Sequence, residues 1–262
     1  MNNELSGKVL KWLGATGFPL EMAAASAFRS AGFDIAQSSA YLDPQTEKGR
    51  EIDILATDPD LLGAITVNFV LECKATNKPW VVLTSSEAFA NYNRLRAFGI
   101  MNEHASRALA SRLPVKFGSL AQYIERPAHG GYGLRQAFCE DRDAAYAAAV
   151  NVLKAAQSIV RSSERSSVKS LAFVFPVIVV DAPIFECSLS DEDELDLKEV
   201  EESAFLFSTF LPDSVGCSIR VVRRTHLPGL AIALKQIANS IRTELKSEED
   251  SIVAAWSESS AG

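Results

Sequence analysis

The sequence is short of the residues that build zinc sites, disulfide frameworks and membrane spans. Its 262 residues include four cysteines and three histidines, and neither set shows the paired spacing, such as Cys-x-x-Cys, that holds a zinc ion. No apolar run reaches the length of about 20 residues that a membrane span needs. The N-terminal segment lacks the charged, apolar and small-residue regions of a signal peptide. We therefore expect a cytoplasmic protein with reduced thiols and no membrane association.

The chain also lacks an excess of basic charge. It carries 26 Lys and Arg against 33 Asp and Glu, a formal net charge of -7, whereas proteins that hold nucleic acid through its phosphates usually present a basic surface. Two local clusters of basic residues oppose this average: Arg161, Arg165 and Lys169, and Arg220, Arg223 and Arg224. Much of the acid lies in residues 190–202. We interpret that segment as a solvated loop, with a partner-docking or DNA-mimicking segment as the alternative.

Three short segments place charged residues inside stretches that are otherwise apolar. They are GFPLE at 17–21, GREIDILATD at 49–58 and FVLECKAT at 69–76, which contain Glu21, Asp53, Glu72 and Lys74. Burying several like charges is costly unless a cation neutralises them. The pattern therefore predicts a divalent-metal site with oxygen ligands and a lysine beside it.

The period of a β-strand indicates how these side chains are arranged. Successive side chains point to opposite faces, so we expect Ile52 and Ile54 to pack inward while Asp53 points the other way. By the same rule Glu72 and Lys74 share a face of their strand. If the two strands are neighbours, Asp53, Glu72 and Lys74 converge at one edge of a sheet.

Hydrophobic periodicity and turn residues give a coarse map of the chain. A helix over 17–31 carries Glu21, and strands over 33–42, 50–57 and 64–76 are predicted to form an antiparallel meander. An Ala-rich helix over 141–162 then leads into a strongly apolar strand over 170–183. The order of elements predicts an α/β fold.

This arrangement resembles the PD-(D/E)xK nuclease superfamily over roughly residues 17–85. The resemblance implies a restriction-endonuclease-like mixed β-sheet flanked by helices. Asp53 matches the family's metal-binding aspartate, Glu72 its second acidic ligand and Lys74 its lysine. Glu21 matches the helix glutamate of many members. One departure is that Ile52, and not proline, precedes Asp53.

The resemblance also implies how the rest of the chain is organised. Residues 1–262 would form a single nuclease domain, in which helix 141–162 is the crossover helix and strand 170–183 the fourth core strand. Residues 86–133 would then be a helical insertion after the third core strand. Within that insertion, we interpret RPAHGGYG at 126–133 as a flexible connector.

The activity that the resemblance implies is Mg²⁺-dependent hydrolysis of phosphodiester bonds in DNA, with Mn²⁺ as a substitute. Asp53 and Glu72 would hold the metal together with the backbone carbonyl of Cys73, and Lys74 would orient or deprotonate the attacking water. Glu21 would complete a second metal site or fix Lys74. By analogy, the role would lie in prokaryotic restriction or defence.

Simpler explanations stay open for each of these residues. A Glu-x-Lys pair is common at solvated strand edges, and Lys74 could form only a structural ion pair with Glu72 or Asp53. Glu21 could be a first-turn glutamate favoured by the helix dipole. The rival function is a catalytically silent nuclease-fold module that binds a protein or nucleic-acid partner. An RNA-directed nuclease and a homodimer are also open.

Overall fold

A mixed β-sheet organises the part of the chain that the structure describes. The structure is a computed structural model, and it describes residues 3–86, 93–112, 118–125, 127, 129–139, 143–166, 168–211 and 213–259. Its strands are β1 (Asp34–Leu42), β2 (Gly49–Asp58), β3 (Ile65–Lys74), β4 (Trp80–Ser85), β5 (Ile100–Met101), β6 (Gly130–Gln136), β7 (Leu171–Val180), β8 (Ile184–Leu189), β9 (Leu195–Val200), β10 (Glu202–Leu211) and β11 (Asp213–Arg223). They lie in the order β1-β2-β3-β7-β11-β10-β6-β4-β8-β9, and β5 pairs with β7 beside this path.

Helices cover both faces of the sheet. They are α1 (Asn3–Gly14), α2 (Phe18–Ser30), α3 (Arg94–Phe98), α4 (Glu103–Ala110), α5 (Ala121–Ile124), α6 (Ala144–Glu164), α7 (Leu227–Glu244) and α8 (Lys246–Ser259), with 3₁₀ turns at Gly118–Leu120 and Arg224–His226. Side chains of α2 and α7 pack on one face of the sheet, and those of α6 pack on the other. We call these the α2/α7 face and the α6 face. The predicted α/β fold with a mixed sheet flanked by helices is confirmed.

The strand β7 lies between the two helical layers and explains the strongest apolar run of the sequence. All ten residues of LAFVFPVIVV are buried, because alternate side chains enter the two core clusters and neither face of this strand meets solvent. It runs parallel to β3 and to β11. The predicted antiparallel meander of β1, β2 and β3 is confirmed by their pairing.

The segment 86–133 is not helical throughout. It contains α3, α4 and α5, but it also contains β5 and the first part of β6. Part of the expected flexible connector 126–133 is therefore sheet, since Gly130–Gln136 pairs with β4 and β10. The glycines allow this pairing: a Cβ on Gly131 would lie 2.5 Å from the carbonyl oxygen of Ala204. Residues 87–92, 113–117, 126 and 128 lie outside the described residues.

The acidic segment 190–202 is not a loop throughout. Leu195–Val200 forms β9, the outermost strand beside β8, and its residues are almost all exposed. Charged side chains on an outer strand, here Asp196, Lys198 and Glu199, oppose pairing with a further strand, which is how many proteins protect sheet edges. None of the helices in the described part of the chain is both long and apolar enough to cross a membrane.

Candidate active site

The candidate site lies where β2 and β3 separate. The two strands pair up to Ile54 opposite Leu71, and beyond that point β3 continues beside β7 alone, through Glu72 to Lys74. Asp53 fills the opening: its Oδ2 accepts a hydrogen bond of 2.7 Å from the backbone N–H of Cys73. A side-chain carboxylate thus replaces a ladder hydrogen bond at the first unpaired position.

A backbone distortion accompanies this opening. On the other side of β2, the register pairs Gln37 with Ile54 and Ser39 with Ile52, which leaves Ser38 opposite Asp53 with a φ of 53°. A non-glycine residue in the left-handed region costs on the order of 1 kcal/mol or more. Residues held in sparsely populated backbone conformations cluster at functional sites.

The two isoleucines beside Asp53 differ from one expectation about β2. Ile52 and Ile54 are both buried, as predicted, but they do not share a face. Ile52 packs in the α6-face cluster with Tyr41, whereas Ile54 packs in the α2/α7-face cluster with Leu71. The prediction that both isoleucines pack on one face is wrong here, since they enter opposite core clusters.

Glu72 and Lys74 lie on the same face of β3, and their side chains form an ion pair. The Nζ of Lys74 lies 2.6 Å from Oε1 of Glu72, and the two side chains are 33% and 11% exposed. Asn151 of α6 donates a hydrogen bond of 3.2 Å to the same oxygen. This ion pair is one of the simpler arrangements open to Lys74, and it also holds the ammonium group beside the two carboxylates.

The charges in this opening perturb one another. Burial raises the pKa of Asp53 to about 6, and the negative charges of Glu72 and Glu21 add to the increase, against the Cys73 N–H and Lys74. Burial alone would lower the pKa of Lys74, but Glu72 and Asp53 raise it above its usual value. Burial also raises the pKa of Glu21, helped by Glu51 and Glu72. Carboxylates with raised pKa values beside a charged lysine are typical of functional sites.

Glu21 lies near this group but is not bonded to the lysine. It sits in the first turn of α2, after Gly17 and a proline at the start of the helix, and it reaches the site electrostatically. Within the described residues it forms neither a hydrogen bond nor an ion pair with Lys74. In this structure Glu72 forms the ion pair with Lys74, and Glu21 is coupled to the lysine through charge alone.

Three neighbours of the site were not identified from the sequence. Asn151 bonds to Glu72, and Glu51 lies close enough to raise the pKa of Glu21. Burial raises the pKa of Tyr41 to about 12, with Asp43 and Glu72 contributing. Only Asn151 left a signal, because it is a polar residue in the apolar Ala-rich pattern of α6.

The donor atoms of the site suit a hard cation that keeps part of its water shell. The hydrogen bonds and ion pairs of the described residues engage Oδ2 of Asp53 and Oε1 of Glu72, which leaves one oxygen of each carboxylate for another ligand. Across the described ranges, no group of three or more His, Cys, Asp and Glu side chains stands at ligand spacing. Mg²⁺ needs no such cage, since one or two carboxylates, waters and a substrate phosphate complete its shell.

The two basic clusters differ in how far their charges are already compensated. Arg223 pairs with Glu199 and Glu201 at 2.9 and 2.7 Å. Arg220 pairs with Glu202, and Arg224 lies 3.4 Å from Asp181. The acidic segment thus compensates Arg220 and Arg223, and Asp181 compensates Arg224, which reduces the capacity of this cluster to hold phosphate. In the other cluster Arg165 and Lys169 are exposed.

Comparison with protein-family models, with curated proteins and with solved structures finds no match to this chain.

The buried charge of Asp53 predicts how the stability of the protein depends on pH. Its pKa is raised in the folded state to about 6, so the folded protein binds this proton more tightly than the unfolded chain does. The contribution is present below about pH 4, falls as the pH rises through about 6, and is absent above it. In metal-free buffer at pH 7, Asp53→Asn should therefore stabilise the protein by about 1–2 kcal/mol, allowing for solvent screening.

The same variant should respond differently to metal. Millimolar Mg²⁺ or Mn²⁺ should raise the melting temperature of the wild type, by linkage worth about 2.7 kcal/mol at 100 times the dissociation constant. Asp53→Asn should lose most of this increase. Thermal unfolding with and without metal measures both effects, and the exposed Asp34→Asn on β1 is the control. Wild type and Asp53→Asn with the same pH dependence and the same metal response would contradict the assignment of Asp53.

Proposed function

We propose that the protein is a metal-dependent nuclease that hydrolyses phosphodiester bonds in DNA, on a restriction-endonuclease-like core. The observation that supports it best is the meeting of Asp53, Glu72 and Lys74 at the point where β2 leaves β3. Two carboxylates keep one oxygen each for a cation, and an ammonium group lies 2.6 Å from one of them. A purely structural ion pair would need neither the distortion at Ser38 nor the partly buried charge of Asp53.

The role of the two carboxylates follows from their chemistry and position. Asp53 and Glu72 would bind Mg²⁺ with the carbonyl oxygen of Cys73, and Glu21 would add negative charge beside them. A bound Mg²⁺ polarises a phosphate oxygen and makes a neighbouring water more acidic. Asn151 holds Glu72 through Oε1, so the orientation of this carboxylate is set by α6 as well as by β3.

The charge of Lys74 supports a role as a hydrogen-bond donor in the proposed reaction. In the metal-free protein Glu72 and Asp53 raise the pKa of Lys74 above its usual value, so its side chain is a charged ammonium at neutral pH. As a cation it can donate hydrogen bonds to a phosphate oxygen or to the attacking water. Such a donor stabilises the negative charge that develops on the phosphate as the water attacks and the leaving oxygen departs.

The charge of the protein bears on how tightly it would hold DNA. The net charge of -7 and the compensated arginines at 220–224 predict weak, salt-sensitive binding. The exposed Arg165 and Lys169 then become the stronger candidates for phosphate contacts. Charge reversal of both should weaken DNA binding more than reversal of Arg223 and Arg224, in a gel-shift series at several salt concentrations.

Substrate class can be tested with a panel of nucleic acids. Closed circular plasmid, linear duplex, single-stranded DNA and single-stranded RNA would each be incubated with Mg²⁺, with Mn²⁺ or with a chelator. The proposal predicts metal-dependent cleavage of at least one DNA substrate and none with the chelator. Cleavage of RNA alone would favour the RNA-directed alternative. Binding without cleavage under every condition would favour the catalytically silent module.

A further inference from the structure

A cleft separate from the candidate active site lies between α6 and the inserted segment. It has a volume of about 480 Å³ and is walled by α3, β5, α6 and the start of β11. Its size falls within the range of roughly 300–1,000 Å³ that is usual for small-molecule sites. We call it the insertion cleft, and its lining includes Leu95, Arg96, Ile100, Met101, Gln157 and Val160.

One stripe of α6 forms the floor of the insertion cleft. Gln157, Val160, Arg161 and Glu164 all line it, and their spacing of three and four residues places them on one side of the helix. Arg161 and Glu164 carry charges of opposite sign. Gln157 is the unusual member, because a long polar side chain here is only 7% exposed.

Gln157 has an unmet hydrogen bond. Its Oε1 is buried and accepts no hydrogen bond, and an orphaned buried acceptor costs about 1–3 kcal/mol. The two other polar residues that follow this side of α6 at the same spacing are both bonded: Asn151 to Glu72 and Lys154 to Asp43. The terminal amide torsion of glutamine is soft, so a small rotation can present Oε1 to a donor in the cleft.

The other walls add an apolar surface and a cation. Leu95, Ile100 and Met101 are half-buried and present aliphatic and thioether side chains, which suit the face of a planar ring. Arg96 of α3 is exposed, and within the described residues it forms no ion pair. An acceptor, an apolar wall and a guanidinium are therefore gathered in one cleft, and each can satisfy a different part of a ligand.

We propose that the insertion cleft binds a mononucleotide. The base would lie against Leu95, Ile100 and Met101 and donate an N–H to Oε1 of Gln157, and the phosphate would pair with Arg96. This site is independent of the proposed nuclease activity, because it shares no residue with Asp53, Glu72 and Lys74. A water molecule could donate a hydrogen bond to Oε1 of Gln157, but a single water would not also contact the cation and the apolar wall.

Calorimetric titration in the presence of a chelator tests the proposal without any cleavage. AMP, GMP, CMP and UMP would be titrated into the full chain, with adenosine and inorganic phosphate as partial probes. We expect at least one mononucleotide to bind at least tenfold more tightly than either partial probe. Arg96→Ala should weaken that binding tenfold or more, whereas Arg94→Ala, on the same short helix but outside the cleft, should leave it within twofold.

The variant Gln157→Leu tests whether Gln157 binds a ligand or only affects the stability of the fold. The substitution removes the orphaned acceptor at similar volume, so it should raise the melting temperature without ligand and still weaken mononucleotide binding at least tenfold. Three results would overturn the proposal: no binding of any mononucleotide at millimolar concentration, inorganic phosphate binding as tightly as the nucleotides, or unchanged affinity in Arg96→Ala or in Gln157→Leu.

Discussion

Lys74→Ala is expected to reduce DNA cleavage by at least about 10²–10³-fold while leaving metal binding largely intact. Removing one positioned donor from a reacting centre has effects of that size, and lysine is not a metal ligand. Asp53→Ala should abolish both cleavage and metal binding. Single-turnover cleavage rates and calorimetric metal titration separate the two outcomes.

The matched control for this prediction is Lys48→Ala, which removes an exposed lysine from the turn before β2. It should cleave at the wild-type rate. Cleavage by Lys74→Ala at the wild-type rate would show that the ion pair with Glu72 is only structural. Loss of metal binding in Lys74→Ala would show instead that the lysine organises the carboxylates.

The largest expected effect on stability comes from Asp43→Ala. Asp43 is fully buried at the end of β1, where it binds Arg50 at 2.9 Å and Lys154 of α6 at 3.1 Å. It also accepts hydrogen bonds from the backbone of Gln45 and Thr46. Removing it leaves the Lys154 ammonium, whose side chain is 10% exposed, without its anion. Breaking one side of a buried pair costs about 3–5 kcal/mol.

Urea denaturation at pH 7 measures this loss, with the exposed Glu47→Gln in the same turn as a control. The double variant Asp43→Asn with Lys154→Met should recover part of the stability, because the one charge left without its partner, Arg50, is half-exposed. Although burial opposes it, the hydrogen bonds and Lys154 lower the pKa of Asp43 to about 2. Its contribution is therefore full above about pH 4 and is lost as the pH falls through about 2. A loss below 1 kcal/mol in Asp43→Ala would show that the contact is not stabilising.

The first half of the sheet could be predicted because its contacts are local. β1, β2 and β3 follow one another through short turns, so the apolar runs and the Asp-Pro and Gly residues between them indicate an antiparallel meander. The charged residues in those runs also led to the prediction that Asp53, Glu72 and Lys74 lie close together. The α6 helix and the buried β7 were evident from composition, and Asp143 caps α6 through Ala145 and Tyr146.

The second half could not be predicted because its pairings join distant segments. β6, from the expected connector, lies between β10 and β4, and no local pattern indicates that register. The distortion at Ser38 was also hidden, since serine has no preference that requires a positive φ. The acidic 190–202 segment has the composition of a loop, yet its pairing with β8 makes part of it a strand.

Polar residues on α6 show what such a pattern can and cannot reveal. Asn151, Lys154 and Gln157 interrupt an apolar helix at intervals of three, which marks the positions as unusual. Asn151 and Lys154 have partners on β3 and on the turn after β1, whereas Oε1 of Gln157 faces the insertion cleft without a partner among the described residues. Those partners depend on tertiary packing, so the sequence indicates only that such polar groups need partners.

The rate of plasmid cleavage against Mg²⁺ concentration, for the wild type and for Asp53→Asn, tests the central claim most directly. We expect no cleavage with a chelator, a saturable increase with Mg²⁺ for the wild type, and a rate at least about 10²-fold lower for Asp53→Asn at every concentration. Asp34→Asn should follow the wild-type curve. Equal rates for Asp53→Asn and the wild type, or wild-type cleavage that persists with the chelator, would contradict a metal-dependent site built on Asp53, Glu72 and Lys74.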